Sequence, residues 1–387
     1  VGVKSRKSQK PDVAVLYSET EASCAAVFTT NKFCAAPVIL DREILKNGKA
    51  RAIVINSGNA NAATGTQGIE DARTVEREAE KLLGVGENEV FVCSTGVIGQ
   101  KLPVEKVLDG VRQIIPAKLD KANGSDAAYA IMTTDTVRKE SAYELELSSG
   151  TIRIGAMAKG SGMIHPNMGT MLCAVTTDCA IDGAVLQDML RHIVTKTFNR
   201  ITVDGDTSTN DTCCVLANGL AGNAVITEKG PDYDAFVEAL RALCVELAKK
   251  MASDGEGATH LITCTVTGAG SEQSAETVAK SVIGSALTKA AIFGADANWG
   301  RVLCAMGYSG EDFNPDKVDV AFQSQAGSVQ VCAKGRGLDF DEDLAKRVLT
   351  EHDVTIAITM GEGDSSCTCW GCDLTYEYVK INGDYRT

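Results

Sequence analysis

This chain of 387 residues lacks a surplus of basic residues, has few aromatic residues and contains no long apolar run. Its 38 Lys and Arg residues stand against 51 Asp and Glu residues, for a net charge of −13, and aromatic residues make up only 5%. Duplex nucleic acid requires a basic surface, and single strands require aromatic platforms for stacking. A membrane helix requires about 20 consecutive apolar residues. Nucleic-acid binding and membrane spanning are therefore excluded as functional classes.

The motifs of several common enzyme classes are also missing. The four histidines form no HExxH or other paired spacing, and there is no GxSxG elbow or Walker lysine. Gly160-Ser-Gly162 lacks the third glycine of a dinucleotide fingerprint. Residues 204–208 resemble the start of a calcium loop, but Thr209 replaces the required glycine and Val215 replaces the required glutamate. The sequence predicts neither a metal nor a bound cofactor.

Fourteen cysteines occur without an export signal at the start of the chain. This combination predicts mostly free thiols and a cytoplasmic location, although an organelle signal ahead of Val1 stays open. Cys367, Cys369 and Cys372 form the densest cluster, one ligand short of a structural zinc site. We interpret them as buried thiols, with metal and redox roles as alternatives. In a strand, Cys367 and Cys369 would share one face and Cys372 the other.

Apolar periodicity predicts an α/β chain in which short strands alternate with helices. We expect a helix that ends at Gly84 and a long helix capped by Asp232. The other predicted elements are strands at 12–18, 25–30, 51–56 and 89–93 and a helix at 104–119. A Gly/Ser/Glu break at 268–274 predicts a boundary between a core region, 1–267, and a C-terminal region, 268–387.

Thr170 stands directly after Gly169, between a Gly-rich segment and an apolar strand. If the peptide bond before it were cut, its hydroxyl would be a nucleophile and its own α-amine the base, without any histidine. Gly169 would leave the scissile carbonyl unhindered. Threonine is also common at the start of an ordinary strand, so these residues alone leave the role of Thr170 open.

A longer set of motifs supplies a family resemblance. Lys159-Gly-Ser-Gly-Met-Ile-His-Pro-Asn-Met-Gly-Thr-Met-Leu172 resembles the self-cleavage region of the ornithine acetyltransferase (glutamate N-acetyltransferase) family. Further matches follow in family order at residues 56–62, 94–99, 132–136, 203–211, 254–257, 294–301, 370–376 and 380–387. The resemblance therefore extends from the first tenth of the chain to its last residue.

The resemblance implies an αββα sandwich similar to the N-terminal-nucleophile hydrolases, with a smaller α/β C-terminal region whose tail returns to the active site. It also implies self-cleavage between Gly169 and Thr170, after which the two chains remain together as an α2β2 assembly. The family commonly has alanine where this chain has Gly169, a small change that should not block cleavage.

The implied reaction is a ping-pong acetyl transfer in arginine biosynthesis. N2-acetyl-L-ornithine acetylates Thr170, ornithine leaves, and L-glutamate accepts the acetyl group. No cofactor is implied, and the motifs leave open whether acetyl-CoA is a second donor. By the same match, Thr95 and Gly96 form the oxyanion hole. The substrate-binding positions carried over are Thr133, Lys159, Thr170, Glu256, Asn382 and Thr387.

Both substrates carry charges of both signs, and Lys159 and Glu256 have the complementary charges. Which substrate group each one binds is left open by the sequence. A self-processed aminopeptidase or amidase on a related fold is the alternative function. It would use water in place of glutamate, but that group has serine as its nucleophile.

Overall fold

In a computed structural model, the structure describes residues 2–3, 10–120, 123–165 and 171–384. Gly169, Thr170 and Thr387 therefore lie outside the described residues. Within them the strands are β1 (Val13–Phe28), β2 (Lys49–Asn59), β3 (Val90–Val97), β4 (Lys139–Leu147), β5 (Gly150–Lys159), β6 (Leu172–Thr177), β7 (Ile201–Thr202), β8 (Thr212–Ala217), β9 (Leu261–Ala269), β10 (Asp319–Ser324), β11 (Gly327–Ala333), β12 (Arg336–Gly337), β13 (Asp353–Thr359) and β14 (Ser365–Cys372). The helices are α1 (Ala36–Ile44), α2 (Gly65–Leu83), α3 (Val104–Lys118), α4 (Gly124–Ala130), α5 (Gly183–Lys196), α6 (Pro231–Ser253), α7 (Glu272–Gly284), α8 (Ala286–Phe293), α9 (Trp299–Gly307), α10 (Glu342–Thr350) and α11 (Tyr376–Asp384).

These strands form two sheets. The first has the order β3-β2-β1-β8-β6-β5-β4, and the second has the order β12-β11-β10-β13-β9-β14-β7. Both sheets are mixed, because β2 and β3, β6 and β8, and β9 and β13 pair in parallel while most other neighbours are antiparallel. The predicted α/β fold class is confirmed, and the strands lie in two sheets.

Alternating side chains place a hydrophobic core on each face of the first sheet. On β6, Leu172 and Ala174 pack toward the helices α1 to α4, whereas Cys173 and Val175 pack toward α5 and α6. The second sheet packs one face against α7, α9 and α10 in a separate core. Among the described residues, no helix combines the length and the apolar character needed to cross a membrane.

Several local predictions can be compared with the structure. The helix predicted to end at Gly84 does so, with Gly84 in the left-handed conformation at φ +66°. The strands predicted at 12–18 and 25–30 are parts of the single strand β1, whose pairing with β2 shifts register between Tyr17 and Ala22. The polar residues between them therefore mark an irregularity within a strand and not a turn.

The predicted cap of α6 is wrong. Gly230 occupies the N-cap position, and the Asp232 carboxylate instead accepts hydrogen bonds from the backbone N–H and the hydroxyl of Ser148. The division into 1–267 and 268–387 stays a prediction. Strand β9 runs across that boundary, and the second sheet also takes in β7 from the earlier part of the chain.

The cysteine prediction is confirmed in its geometry. Cys367 and Cys369 lie on one face of β14 with their sulfur atoms 3.9 Å apart, and Cys372 packs into the core on the other side. All fourteen cysteines lie in the described ranges and none forms a disulfide. Burial raises the pKa of Cys372 above its ordinary value, which keeps that thiol protonated.

Candidate active site

The end of β3 places Thr95 and Gly96 at the edge of the first sheet. Gly96 lies opposite Gly58 of β2. Its φ is +134°, and a Cβ atom there would come within 2.3 Å of the carbonyl carbon of Gly58. Only glycine fits so close an approach in this backbone conformation. The close packing of Gly96 against the Gly58 backbone therefore fixes the position of the two predicted oxyanion-hole residues.

Side-chain amides fix this strand end. The Ser94 hydroxyl donates to Oδ1 of Asn56 at 2.6 Å. Nδ2 of Asn210 donates to the carbonyl oxygens of Ser94 at 2.8 Å and of Ala60 at 2.6 Å. Asn210 is 6% exposed, so these bonds are shielded from water. The polar segments 56–62 and 203–211 thus act as a frame around Thr95.

Lys159, the last residue of β5, is in contact with Thr95. Its Nζ lies 3.3 Å from Oγ1 of Thr95, and the residue is only 8% exposed. Burial lowers the pKa of Lys159 below its ordinary value, and the nearby carboxylates of Asp135 and Glu256 act in the opposite direction. The Lys159 side chain is thus held against the predicted oxyanion hole.

Asp135 links the strand end at Lys159 to Thr133. One carboxylate oxygen of Asp135 accepts from the backbone N–H of Thr133 at 3.0 Å. The other accepts from the backbone N–H of Gly160 at 2.7 Å and from Nζ of Lys139 at 2.7 Å. Burial alone would raise the pKa of Asp135, but the ammonium groups of Lys159 and Lys139 outweigh it and hold that pKa well below its ordinary value. Asp135 is therefore a buried carboxylate.

Glu256 and Asn382 form a second pair of predicted site residues. Nδ2 of Asn382, in α11, donates to Oε2 of Glu256 at 2.8 Å. The backbone N–H of Glu256 donates to the carbonyl oxygen of Ser161 at 2.8 Å. A Cβ atom at Gly162 would lie 2.3 Å from the same Glu256 oxygen, so the Gly-rich loop passes directly over the carboxylate.

Asp204 holds this loop in place. Its carboxylate accepts from the backbone N–H groups of Met163 at 2.6 Å and Ile164 at 2.9 Å. The hydroxyl of Tyr378, in α11, lies 3.3 Å from the same carboxylate. Asp204 therefore joins the loop before the predicted cleavage site to the C-terminal helix.

Asp211 is a further buried acid near Lys159. It is 1% exposed, and within the described part of the chain its Oδ2 has no hydrogen-bond partner. Burial raises the pKa of Asp211 well above its ordinary value, although the Lys159 ammonium opposes this. The sequence analysis did not single out Asp135 or Asp211, because an aspartate among threonines and asparagines is typical of an ordinary polar loop.

The structure brings most of the predicted site residues to one place. Thr95 touches Lys159, Asp135 connects Thr133 to the strand end at Lys159, and Glu256 touches Asn382. The predicted roles of Gly169, Thr170 and Thr387 fall on residues outside the described ranges and stay predictions. Among the described residues, no cluster of three or more His, Cys, Asp or Glu side chains is placed to hold a metal.

A buried ammonium beside a threonine hydroxyl, with a carboxylate–amide pair nearby, suits a site for small zwitterions in which negative charge develops on an oxygen. The fold and the site therefore define an α/β enzyme that acts on small molecules. The ArgJ family model matches residues 1–387, and the chain belongs to the ArgJ family.

Relatives with this family name are similar over nearly the whole chain. The arginine biosynthesis bifunctional protein ArgJ of Caldanaerobacter subterraneus subsp. tengcongensis is 52% identical over 381 residues, 98% of this chain and 94% of the relative. The protein of the same name from Symbiobacterium thermophilum is 51% identical over 385 residues, 100% of this chain and 94% of the relative. A crystal structure of ArgJ from Bacillus halodurans is 47% identical with a TM-score of 0.51, covering 54% of this chain and 97% of the solved chain. The predicted family is confirmed, and the chain is an enzyme of arginine biosynthesis.

Proposed function

We propose that this enzyme transfers the acetyl group of N2-acetyl-L-ornithine to L-glutamate through an acetyl ester on Thr170. The observation that supports this best is the contact between Nζ of Lys159 and Oγ1 of Thr95. Acyl transfer passes through a tetrahedral intermediate with a negatively charged oxygen, and a hydroxyl held by a buried cation is suited to stabilise it.

In the first half-reaction, the Thr170 hydroxyl attacks the acetyl carbonyl carbon, and the α-amine of Thr170 takes the hydroxyl proton. The bond between that carbon and the ornithine nitrogen then breaks, and the leaving nitrogen takes the proton from the α-amine. In the second half-reaction, the amine of glutamate attacks the ester carbonyl carbon and gives up a proton to the α-amine of Thr170. The bond between that carbon and the Thr170 oxygen then breaks, the oxygen takes the proton back from the α-amine, and N-acetylglutamate leaves. Thr95 and Gly96 donate hydrogen bonds to the carbonyl oxygen in both halves, each worth about 3–4 kcal/mol in the transition state.

The positions of Lys159 and Glu256 support different roles for the two residues in substrate binding. The ammonium of Lys159 already touches Thr95, so we assign it to the acetyl end of the site. The carboxylate of Glu256 is held by Asn382 beside the Gly-rich loop. We assign it to the ammonium group that both amino-acid substrates carry, because a carboxylate and an ammonium form charge-assisted hydrogen bonds.

The same proposal includes self-cleavage between Gly169 and Thr170 and an α2β2 assembly of the products. The solved Bacillus halodurans chain supports a cut, because 97% of it aligns with only 54% of this chain. A cut before Thr170 leaves residues 170–387, which are 218 of the 387 residues and a similar share. The free thiols support a reducing compartment such as the cytoplasm.

We also propose acetyl-CoA as a second donor. The relatives carry the word bifunctional in their names, which supports a second activity in addition to the first. Glutamate acetylation with acetyl-CoA as the sole donor tests this directly. If no N-acetylglutamate forms while N-acetylornithine remains an effective donor, the second activity is absent.

The test of the main activity is ornithine release from N-acetylornithine with and without glutamate. We expect steady ornithine release only when glutamate is present, together with exchange of labelled ornithine into N-acetylornithine in its absence. Ornithine release at an equal rate without glutamate would instead indicate an amidase. The uncatalysed background is measured with Thr170→Ala.

A further inference from the structure

Resting on the acetyl transfer proposed above, we propose that Asp135 is a positioning residue that acts through Lys159 to keep the Thr95 hydroxyl aimed at the reacting carbonyl oxygen. Within the described part of the chain, the hydrogen bonds of Asp135 go to Thr133, Lys139 and Gly160 and not to Thr95. Its effect is carried by the backbone of the two neighbouring segments and by its charge.

The first part of the argument is geometric. Asp135 is 4% exposed, and its two carboxylate oxygens bind opposite sides of the site. One accepts from the N–H of Thr133 at 3.0 Å, and the other accepts from the N–H of Gly160 at 2.7 Å. Gly160 directly follows Lys159, so Asp135 fixes the strand end from which the Lys159 side chain reaches Thr95.

The second part concerns the direction of one proton. A charged lysine has three donors and no acceptor, so Oγ1 of Thr95 must accept the hydrogen bond from Nζ of Lys159. The hydrogen of the Thr95 hydroxyl is then free to point at a developing oxyanion. A neutral lysine amine can accept, and it would compete for the Thr95 hydrogen. The charge state of Lys159 therefore decides whether Thr95 is a full donor to the oxyanion.

The third part concerns what keeps Lys159 charged. Four titratable side chains from four different segments act on it: Asp135, Lys139 on β4, Glu256 after α6, and Asp211 before β8. Burial lowers the pKa of Lys159, and Asp135 is the strongest of the charges that oppose this effect. Lys139 acts in the same direction as burial, but it is itself paired with Asp135 and Asp254. Loss of the Asp135 charge would therefore tip Lys159 toward the neutral form.

The test is the pH dependence of kcat in Asp135→Asn, a variant of equal size. An opposite charge at close range shifts a pKa by roughly 1–3 units, so we expect the alkaline limb of kcat to move to lower pH by about that amount, with the Michaelis constants little changed. Asp135→Glu keeps the charge and should restore the limb toward its wild-type position. Asp254→Asn is the matched control, because it removes the other carboxylate from Lys139. A limb that stays in place in Asp135→Asn, or that moves equally in Asp254→Asn, contradicts the proposal.

A double-mutant cycle separates this role from a general structural one. If Asp135 acts through Thr95, adding Asp135→Asn to a Thr95→Ala enzyme should lower kcat by no more than about twofold, since interacting residues are not additive. If the fold-loss in kcat of the double variant equals the product of the two single fold-losses, the inference is overturned.

If Asp135→Asn does not fold, Lys139→Met is the alternative variant. It removes a positive charge near Lys159 and should move the alkaline limb of kcat to higher pH. An alkaline limb that stays in place would also overturn the inference. A wild-type enzyme without acetyl transfer would refute the proposed function before any variant is compared.

Discussion

In the proposed mechanism, Thr95 is the described residue whose chemistry bears most directly on the rate of acetyl transfer. Its hydroxyl contacts Nζ of Lys159. The strand that carries it is fixed separately, because Asn56 and Asn210 hydrogen-bond to the preceding residue, Ser94. Ground-state substrate gains little from such a donor, whereas the charged oxygen of the transition state gains much.

We therefore expect Thr95→Ala to lower kcat by roughly 10²–10³-fold with little change in the Michaelis constants. Steady-state kinetics of the cleaved protein measure both parameters. Thr176→Ala, at an exposed position of β6, is the matched control and should change neither. A loss confined to the Michaelis constants would reassign Thr95 to substrate binding.

Position 96 requires glycine because the backbone of Gly58 leaves no room for a Cβ atom. Gly96→Ala would put a Cβ atom 2.3 Å from the Gly58 backbone, while Gly99→Ala, also at positive φ, would meet nothing within 4 Å. The strain of a left-handed backbone costs about 1–2 kcal/mol, and we expect Gly99→Ala to lose about that much stability. Gly96→Ala should lose clearly more, because strands β2 and β3 must move apart. Thermal unfolding of the two variants compares them, and equal losses would show that the close approach is unimportant.

The residues of the site differ in how far the sequence could predict them. Thr95, Lys159, Glu256 and Asn382 lie in long motifs and were predicted from them. Asp135 was missed, because its burial depends on the fold: its partners Thr133 and Lys139 are near in sequence, but Gly160 is 25 residues away. Nothing in a Thr-Thr-Asp-Thr sequence distinguishes a buried carboxylate from a solvated one.

At the scale of elements, helix α11 brings the end of the described chain to Glu256. Tyr378 and Asn382, one turn apart, contact Asp204 and Glu256 respectively. The helix thereby covers the side of the site on which we place the substrate ammonium.

Truncation of the chain before Asn382 should raise the Michaelis constants by roughly tenfold or more, because a hydrogen bond to a charged group is worth about 1.5–3 kcal/mol. Asn382→Ala should show part of the same effect. Lys380→Ala is the control on the same helix, since Lys380 pairs with Glu377 at the surface. Unchanged Michaelis constants in the truncated enzyme would remove α11 from the site.

The elements also show where sequence patterns work and where they fail. Helices with a regular apolar face were predicted well, and α2 ends at Gly84 because that glycine adopts a left-handed conformation. The long strand β1 was split in two, because a polar irregularity within a strand has the composition of a turn. Asp232 was predicted to cap α6 from its place near the start of the helix, but its carboxylate accepts a hydrogen bond from the hydroxyl of Ser148, 84 residues earlier.

At the scale of the whole molecule, two sheets and their helices bring together segments that are far apart in sequence. The candidate site takes Thr95 from β3, Lys159 from β5, and Glu256 and Asn382 from the second half of the chain. A cut between Gly169 and Thr170 would therefore divide the site between two polypeptides, which must stay associated to keep it intact.

Thr170→Ala should give a folded chain that is uncut and inactive, because one hydroxyl serves both cleavage and acetyl transfer. Thr170→Ser keeps a hydroxyl and should retain part of both activities. Circular dichroism checks the fold, and gel electrophoresis checks the cut. Cleavage or acetyl transfer that persists in Thr170→Ala would require another nucleophile.

The most direct test of the central claim is the intact mass of the wild-type enzyme after mixing with N-acetylornithine in the absence of glutamate. Our account predicts two polypeptides, residues 1–169 and 170–387 of this sequence, with one acetyl group on the second. Peptide mapping should place that acetyl group on the Thr170 hydroxyl, and addition of glutamate should remove it. An active enzyme that remains a single chain of 387 residues, or an acetyl group found on a different residue, would contradict the account.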